Sequence, residues 1–146
     1  MKNFIVIILL SSIVSACNNT SKKLKERIAG ADSIAINFFK DNGRMDTVTS
    51  VEIIRDKNEI EKLTAFITTE DASEIKNCSN NGSIHFFKND AVIQDVFFNH
   101  GNAGCSRFQF MIDHKPAYTL MSTEAGNFLT DIQLHKPSIT SKGEKE

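Results

Sequence analysis

An excess of charge of either sign is missing from this chain: 17 basic side chains stand against 18 acidic ones, a formal net charge of −1 over 146 residues. With no basic patch interleaved with aromatics, there is no electrostatic footprint for nucleic acid. Metal and catalytic signatures are missing too. Neither H-E-x-x-H nor C-x-x-C occurs, and His85, His100, His114 and His135 do not fall at the close, repeated spacing of a zinc site. There is no G-x-S-x-G elbow and no phosphate-binding glycine loop. The acidic side chains are scattered: Asp56, Glu59 and Glu61 suit the cap and solvated face of a helix, and Glu70, Asp71 and Glu74 a polar loop. No pair of carboxylates can be nominated for glycoside chemistry. The sequence therefore offers no catalytic residue, no metal and no cofactor.

Cysteine is scarce, with three in all, and one of them has a telling place. Lys2 begins the chain with positive charge, an apolar run extends from Phe4 to Leu10 and on to Ile13 and Val14, and Ser15-Ala16 precede Cys17. The run is too short to span a hydrocarbon core of about 30 Å and reads as a secretory signal. The quartet Val14-Ser15-Ala16-Cys17 resembles the lipobox of bacterial lipoprotein precursors. The resemblance covers residues 1–17 alone. It implies that residues 1–16 are removed and that Cys17 becomes the lipidated first residue, a membrane attachment through lipid. Several acyl chains hold lastingly where one chain gives only reversible binding. In enterobacterial lipoproteins an aspartate after the cysteine favours the inner membrane. Asn18 stands here, which by that resemblance points to the periplasmic face of the outer membrane, and residues 18–23 lack the acidic cluster tied to surface export.

With Cys17 assigned to lipid, Cys78 and Cys105 remain as a pair in an oxidising compartment, where a disulfide is the expected state. Closing that loop stabilises the fold by about 3.5 kcal/mol on the chain-entropy model. The glycine-rich stretch from His100 to Cys105 is the one place where a cysteine nucleophile could be sought, and an oxidised sulfur cannot attack.

About 130 mature residues make one domain. Residues 17–30 read as the lipidated N-terminus and a polar tether, with at most one short helical turn near Leu24 to Ile28, and residues 136–146 as a disordered tail. Between them, residues 31–135 form a single α+β domain. Ile34, Ile36 and Phe38 alternate in a first strand; a turn at Asn42-Gly43 leads to a second with Met45, Val51 and Ile53 in phase. A helix follows, with Asp56 as N-cap and Ile60, Leu63, Phe66 and Ile67 as its stripe. Four strands are then expected: Ile84 and Phe86; Val92, Val96 and Phe98; Phe108, Phe110 and Ile112; and, after a four-residue DHKP turn, Tyr118 and Leu120. A last helix, capped by Ser122 or Thr123, carries Ala125, Phe128, Leu129 and Ile132. The order β-β-α-β-β-β-β-α predicts a mainly antiparallel sheet of five to six strands with two amphipathic helices on one face.

There is no tryptophan but there are eleven phenylalanines, several in doublets. Strand alternation sends one member of each doublet to the helices and the other outward, so Phe39, Phe87 and Phe97 are expected on the open face. If gathered they form an apolar patch for a partner. The reading is a lipid-anchored periplasmic or envelope protein that works as a non-catalytic binding or accessory module, its partner another envelope protein or a small ligand, with a small-ligand carrier or sensor as the alternative and a hydrolytic enzyme third.

Overall fold

A computed structural model describes residues 20–40, 44–74, 77–101 and 104–134. The signal segment, Cys17, the Asn42-Gly43 turn and the 136–146 tail lie outside the described residues, as do the side chains of residues 44–46. In chain order the elements are α1 (Thr20–Ile28), β1 (Ser33–Lys40), β2 (Arg44–Ile54), α2 (Lys57–Ile67), β3 (Gly82–Lys88), β4 (Ala91–Asn99), β5 (Arg107–Ile112), β6 (Lys115–Leu120) and α3 (Thr123–Leu134). The six strands make one antiparallel sheet in the order β2-β1-β3-β4-β5-β6. This is the expected α+β architecture, with one helix more.

Alternation with a period of two builds the core face. Ile34, Ile36 and Phe38 of β1, Ile84 and Phe86 of β3, Val96 and Phe98 of β4, and Phe108, Phe110 and Ile112 of β5 are all buried there. Leu24 and Ile28 of α1, Ile60, Leu63 and Ile67 of α2, and Ala125 and Leu129 of α3 close over them. Asp56 caps α2, its carboxylate accepting from the Glu59 amide at 3.0 Å, and the Ser122 hydroxyl accepts from the Ala125 amide at 3.1 Å at the head of α3. Gly82 is required by close approach: a Cβ there would meet the Asn37 carbonyl and the Phe98 ring, each at 2.3 Å.

The extra helix is the first correction. Residues 20–28, expected as tether with at most one turn, form a nine-residue helix whose Leu24 and Ile28 are 0% and 2% exposed. Two such side chains, each worth about 1.5–3 kcal/mol on burial, outweigh the polar composition around them. The first turn carries no acidic residue, and Asp71 serves in its place. Its carboxylate accepts from the Thr20 and Ser21 amides at 3.2 and 3.0 Å. Lys23 and Arg27 then reach Asp113 at 2.8 and 3.5 Å, which tie α1 to the β5–β6 turn. That contact holds the Asp113 carboxyl below the usual carboxylate range.

Three further expectations change with the register. An irregularity between Phe86 and Phe87 pairs Phe87 with Val92, so Val92 leaves the core phase for the opposite face and Gln94 is buried. In β2, Val51 and Ile53 face away from the helices while Ile54 enters the core. In β6, Tyr118 and Leu120 pair with Gln109 and Arg107 on that outer face, and the buried Thr119 faces the core. The DHKP turn is tighter than expected. Asp113 and His114 alone have positive φ, the signature of a two-residue primed hairpin, and Pro116 already belongs to the edge strand β6.

The sheet has two distinct ends. The β3–β4 turn, the β5–β6 turn and α1 share one, while Cys78 and Cys105 precede β3 and β5 at the other. They form a disulfide with a Cα separation of 5.7 Å.

Candidate functional site

Among the described residues no helix lies on the outer face of the sheet, and apolar side chains are exposed on it. Val48, Val51, Ile53, Val92, Met111 and Leu120 are each 45–57% exposed. Register puts all six on this face: Val51 opposite Asn37, Ile53 opposite Ala35, Val48 opposite Phe39, Val92 opposite Phe87, Met111 opposite Pro116 and Leu120 opposite Arg107. Among the described residues one other large apolar side chain is so exposed, Leu134 at the end of α3.

Phe39, Phe87 and Phe97 lie on the same face, each half-buried. They do not form one cluster. Phe39 pairs with Val48 toward the loop end of β1, Phe87 with Ser33 and Val92 toward the turn end of β3, and Phe97 with Ser83 and Gln109 in the middle of the sheet. The most exposed members of the patch, Ile53, Val92 and Met111, were missed in the sequence because β-branched or long residues beside a core phase look like part of that phase. The periodicity of β2, broken between its two halves by an irregular pairing near Phe39, was the available signal.

A polar network crosses the middle of this face. The Asn37 amide nitrogen lies 3.3 Å from Ser83 Oγ and 2.9 Å from His85 Nε2, Ser83 Oγ lies 2.9 Å from the same nitrogen, and His85 Nδ1 lies 2.6 Å from Asp95 Oδ1. Because an amide nitrogen only donates, Nε2 must accept, and the ring proton sits on Nδ1 and is given to Asp95. Ser83, His85 and Asp95 thus stand in the order of a hydrolase triad. Ser83 is only 2% exposed, between Asn37 and Phe97 in register, so a substrate carbonyl cannot reach its hydroxyl in this conformation. The network is a polar tie across β1, β3 and β4. No sequence motif announces it, since its members come from three strands and meet only through register.

At the loop end the outer face is covered. Arg107, 5% exposed, gives hydrogen bonds to the carbonyls of Ser73, Gly104 and Cys105 and lies 3.5 Å from Cys78 Sγ. The Asn99 amide donates to the Ser79 carbonyl, and Asn81 Oδ1 accepts from the His100 amide at 2.8 Å. The disulfide and this arginine fold the segment before β3 over the sheet. His100 stacks on Phe98 with ring centroids 5.9 Å apart, and burial holds its imidazole below the ordinary range. Histidines 85 and 100, which could have met across strands, are separated: one pairs with Asp95 and the other packs at the loop end. Among the described residues, no three His, Cys, Asp or Glu side chains converge on a metal position.

Two clefts of similar size lie on the described surface. The ladder between β4 and β5 is paired only from Val96 to Asn99, and the unpaired halves open a cleft of about 400 Å³ lined by Val92, Asp95, Phe97, Met111 and Arg27. A second of about 400 Å³ runs between α1 and α2, with Ile28, Ile60 and Ala65 in its wall. Among the described residues, no helix is long and apolar enough to cross a membrane. Comparison with protein-family models, curated proteins and solved structures finds no match to this chain.

Proposed function

We propose that this protein is a lipid-anchored envelope component, attached through Cys17 at the periplasmic face of the outer membrane, that works by binding another envelope protein through the outer face of its sheet. The observation that carries the reading is the exposure of Val48, Val51, Ile53, Val92, Met111 and Leu120 on one face, which no helix among the described residues covers. They form two groups, Val48, Val51 and Ile53 on β2 and Val92, Met111 and Leu120 on β4 to β6, and exposed apolar surface of this kind marks interaction sites in soluble domains. The polar tie through Asn37, Ser83, His85 and Asp95 gives that face hydrogen-bonding specificity amid apolar contact. The test is co-purification from detergent-solubilised envelopes. Val51→Asp with Ile53→Asp removes a specific partner while the melting temperature of the isolated domain stays close to that of the parent. Partner recovery equal to the parent's contradicts the reading.

The cleft between β4 and β5 favours a second reading, a small-ligand carrier. Its volume of about 400 Å³ lies in the range of ligand sites, and its walls are mainly apolar with a few charged groups. Native mass spectrometry of the mature protein separates the two: a co-purified small molecule supports the carrier and a protein complex supports the adaptor.

A further inference from the structure

The position of α1 changes what the lipid anchor does. Read as a tether, residues 17–30 would let the domain swing freely; in the fold, helix α1 begins at Thr20, whose amide is held by Asp71. Only Asn18 and Asn19 separate it from Cys17. Three residue steps reach about 10 Å when fully extended. We propose that the lipidated domain stands directly on the bilayer, with the start of α1 and the β5–β6 turn docked on the phospholipid headgroups and the disulfide end pointing away. This rests on lipidation of Cys17, and it adds an orientation that lipidation alone does not give.

Two observations support the headgroup layer as the occupant. The first is where helix α1 begins. Thr20 stands at the corner where α1 meets the β6 edge: Asp71, which holds its amide, bridges to Thr119, four residues along β6 from Lys115, and Lys23 reaches the turn residue Asp113. Any short link to the membrane brings this corner to it. The second is charge. Helix α1 carries Lys22, Lys23, Lys25 and Arg27 against the single acid Glu26, and Lys115 adds a cation from the adjacent turn; with Asp71 and Asp113 at the same corner this leaves five cations against three acids, in a chain whose overall charge is −1. Such a cluster beside an anchor is attracted to anionic headgroups. The outer face of the sheet then stands upright on the membrane, open sideways to a neighbouring envelope protein.

The test uses the mature acylated protein in vesicles of phosphatidylethanolamine and phosphatidylglycerol doped with a headgroup-nitroxide lipid. A fluorophore is placed by Lys115→Cys at the turn or by Asn127→Cys on α3, which begins at the disulfide end where Gly126 approaches His100. The two ends of the sheet are about 20 Å apart for strands of this length. The turn label should be quenched several-fold more than the α3 label, and a flexible Gly-Ser insert of about ten residues after Asn19, spanning about 17 Å on average, should remove the difference. Intact mass is measured on the same samples. Lipid on Cys17 with equal quenching at the two positions overturns the orientation and leaves the anchor standing; an unmodified Cys17 overturns both.

Discussion

The two faces of this sheet share their phenylalanines and end in opposite environments. Each phenylalanine doublet is split between them: Phe38, Phe86 and Phe98 are 0–1% exposed under the helices, while Phe39, Phe87 and Phe97 remain half-buried on the other side. Hydrophobicity alone therefore does not decide which surface becomes core. What decides it is whether an amphipathic helix follows in the chain and docks, as α1, α2 and α3 do on one face only. The uncovered face is stabilised differently, by the tie from Asn37 to Asp95 in its middle and by Arg107 and the disulfide at one end.

The contrast can be broken most forcefully in the covered face. Phe98→Ala removes a fully buried ring in edge contact with Phe38, their centroids 5.8 Å apart, and is expected to destabilise the domain by about 4 kcal/mol in urea unfolding. A loss below about 1 kcal/mol would mean that this face is not the core. Reduction of Cys78–Cys105 comes next, at about 3.5 kcal/mol by the chain-entropy model. The accompanying loss of hydrogen-exchange protection should concentrate at the loop end, around Arg107 and Asn99, and uniform loss would show that the bridge does not organise that end. Asp71→Ala should lower stability by about 1 kcal/mol through the lost cap of α1, with faster exchange in residues 20–24. Unchanged exchange there would leave α1 without its distant cap. The smallest effect belongs to the outer face: Ile53→Thr is expected within about 0.5 kcal/mol of the parent. A large loss at that position would erase the distinction between the faces.

Much of the covered face was legible in the sequence, because its determinants are local. Alternation in SIAINFFK and SRFQFMI gave β1 and β5, Asp56 with Ile60, Leu63 and Ile67 gave α2, and the even cysteine pair gave the disulfide. Helix α1 was not legible: only Leu24 and Ile28 mark it, and its cap, Asp71, is 51 residues from Thr20. Register shifts hid the outer face as well. The shift between Phe86 and Phe87 moves Val92 across the sheet, and the partners of His85 lie on β1 and β4, placed by pairing that a single sequence does not display. The expected phenylalanines were assigned to the correct side, but the largest exposures on that side belong to Ile53, Val92 and Met111.

Site-specific photocrosslinking in native envelopes tests the division of the sheet most directly. A photoreactive residue replaces Ile53 on the outer face or Asn58 on the solvent side of α2, both exposed and both close to the β2–α2 connection. A discrete adduct to one other envelope protein from position 53, absent from position 58 and lost when Val51 is changed to Asp, is the predicted result. Equal labelling from the two positions, or an adduct from position 58 alone, would contradict the assignment of the outer face as the contact surface.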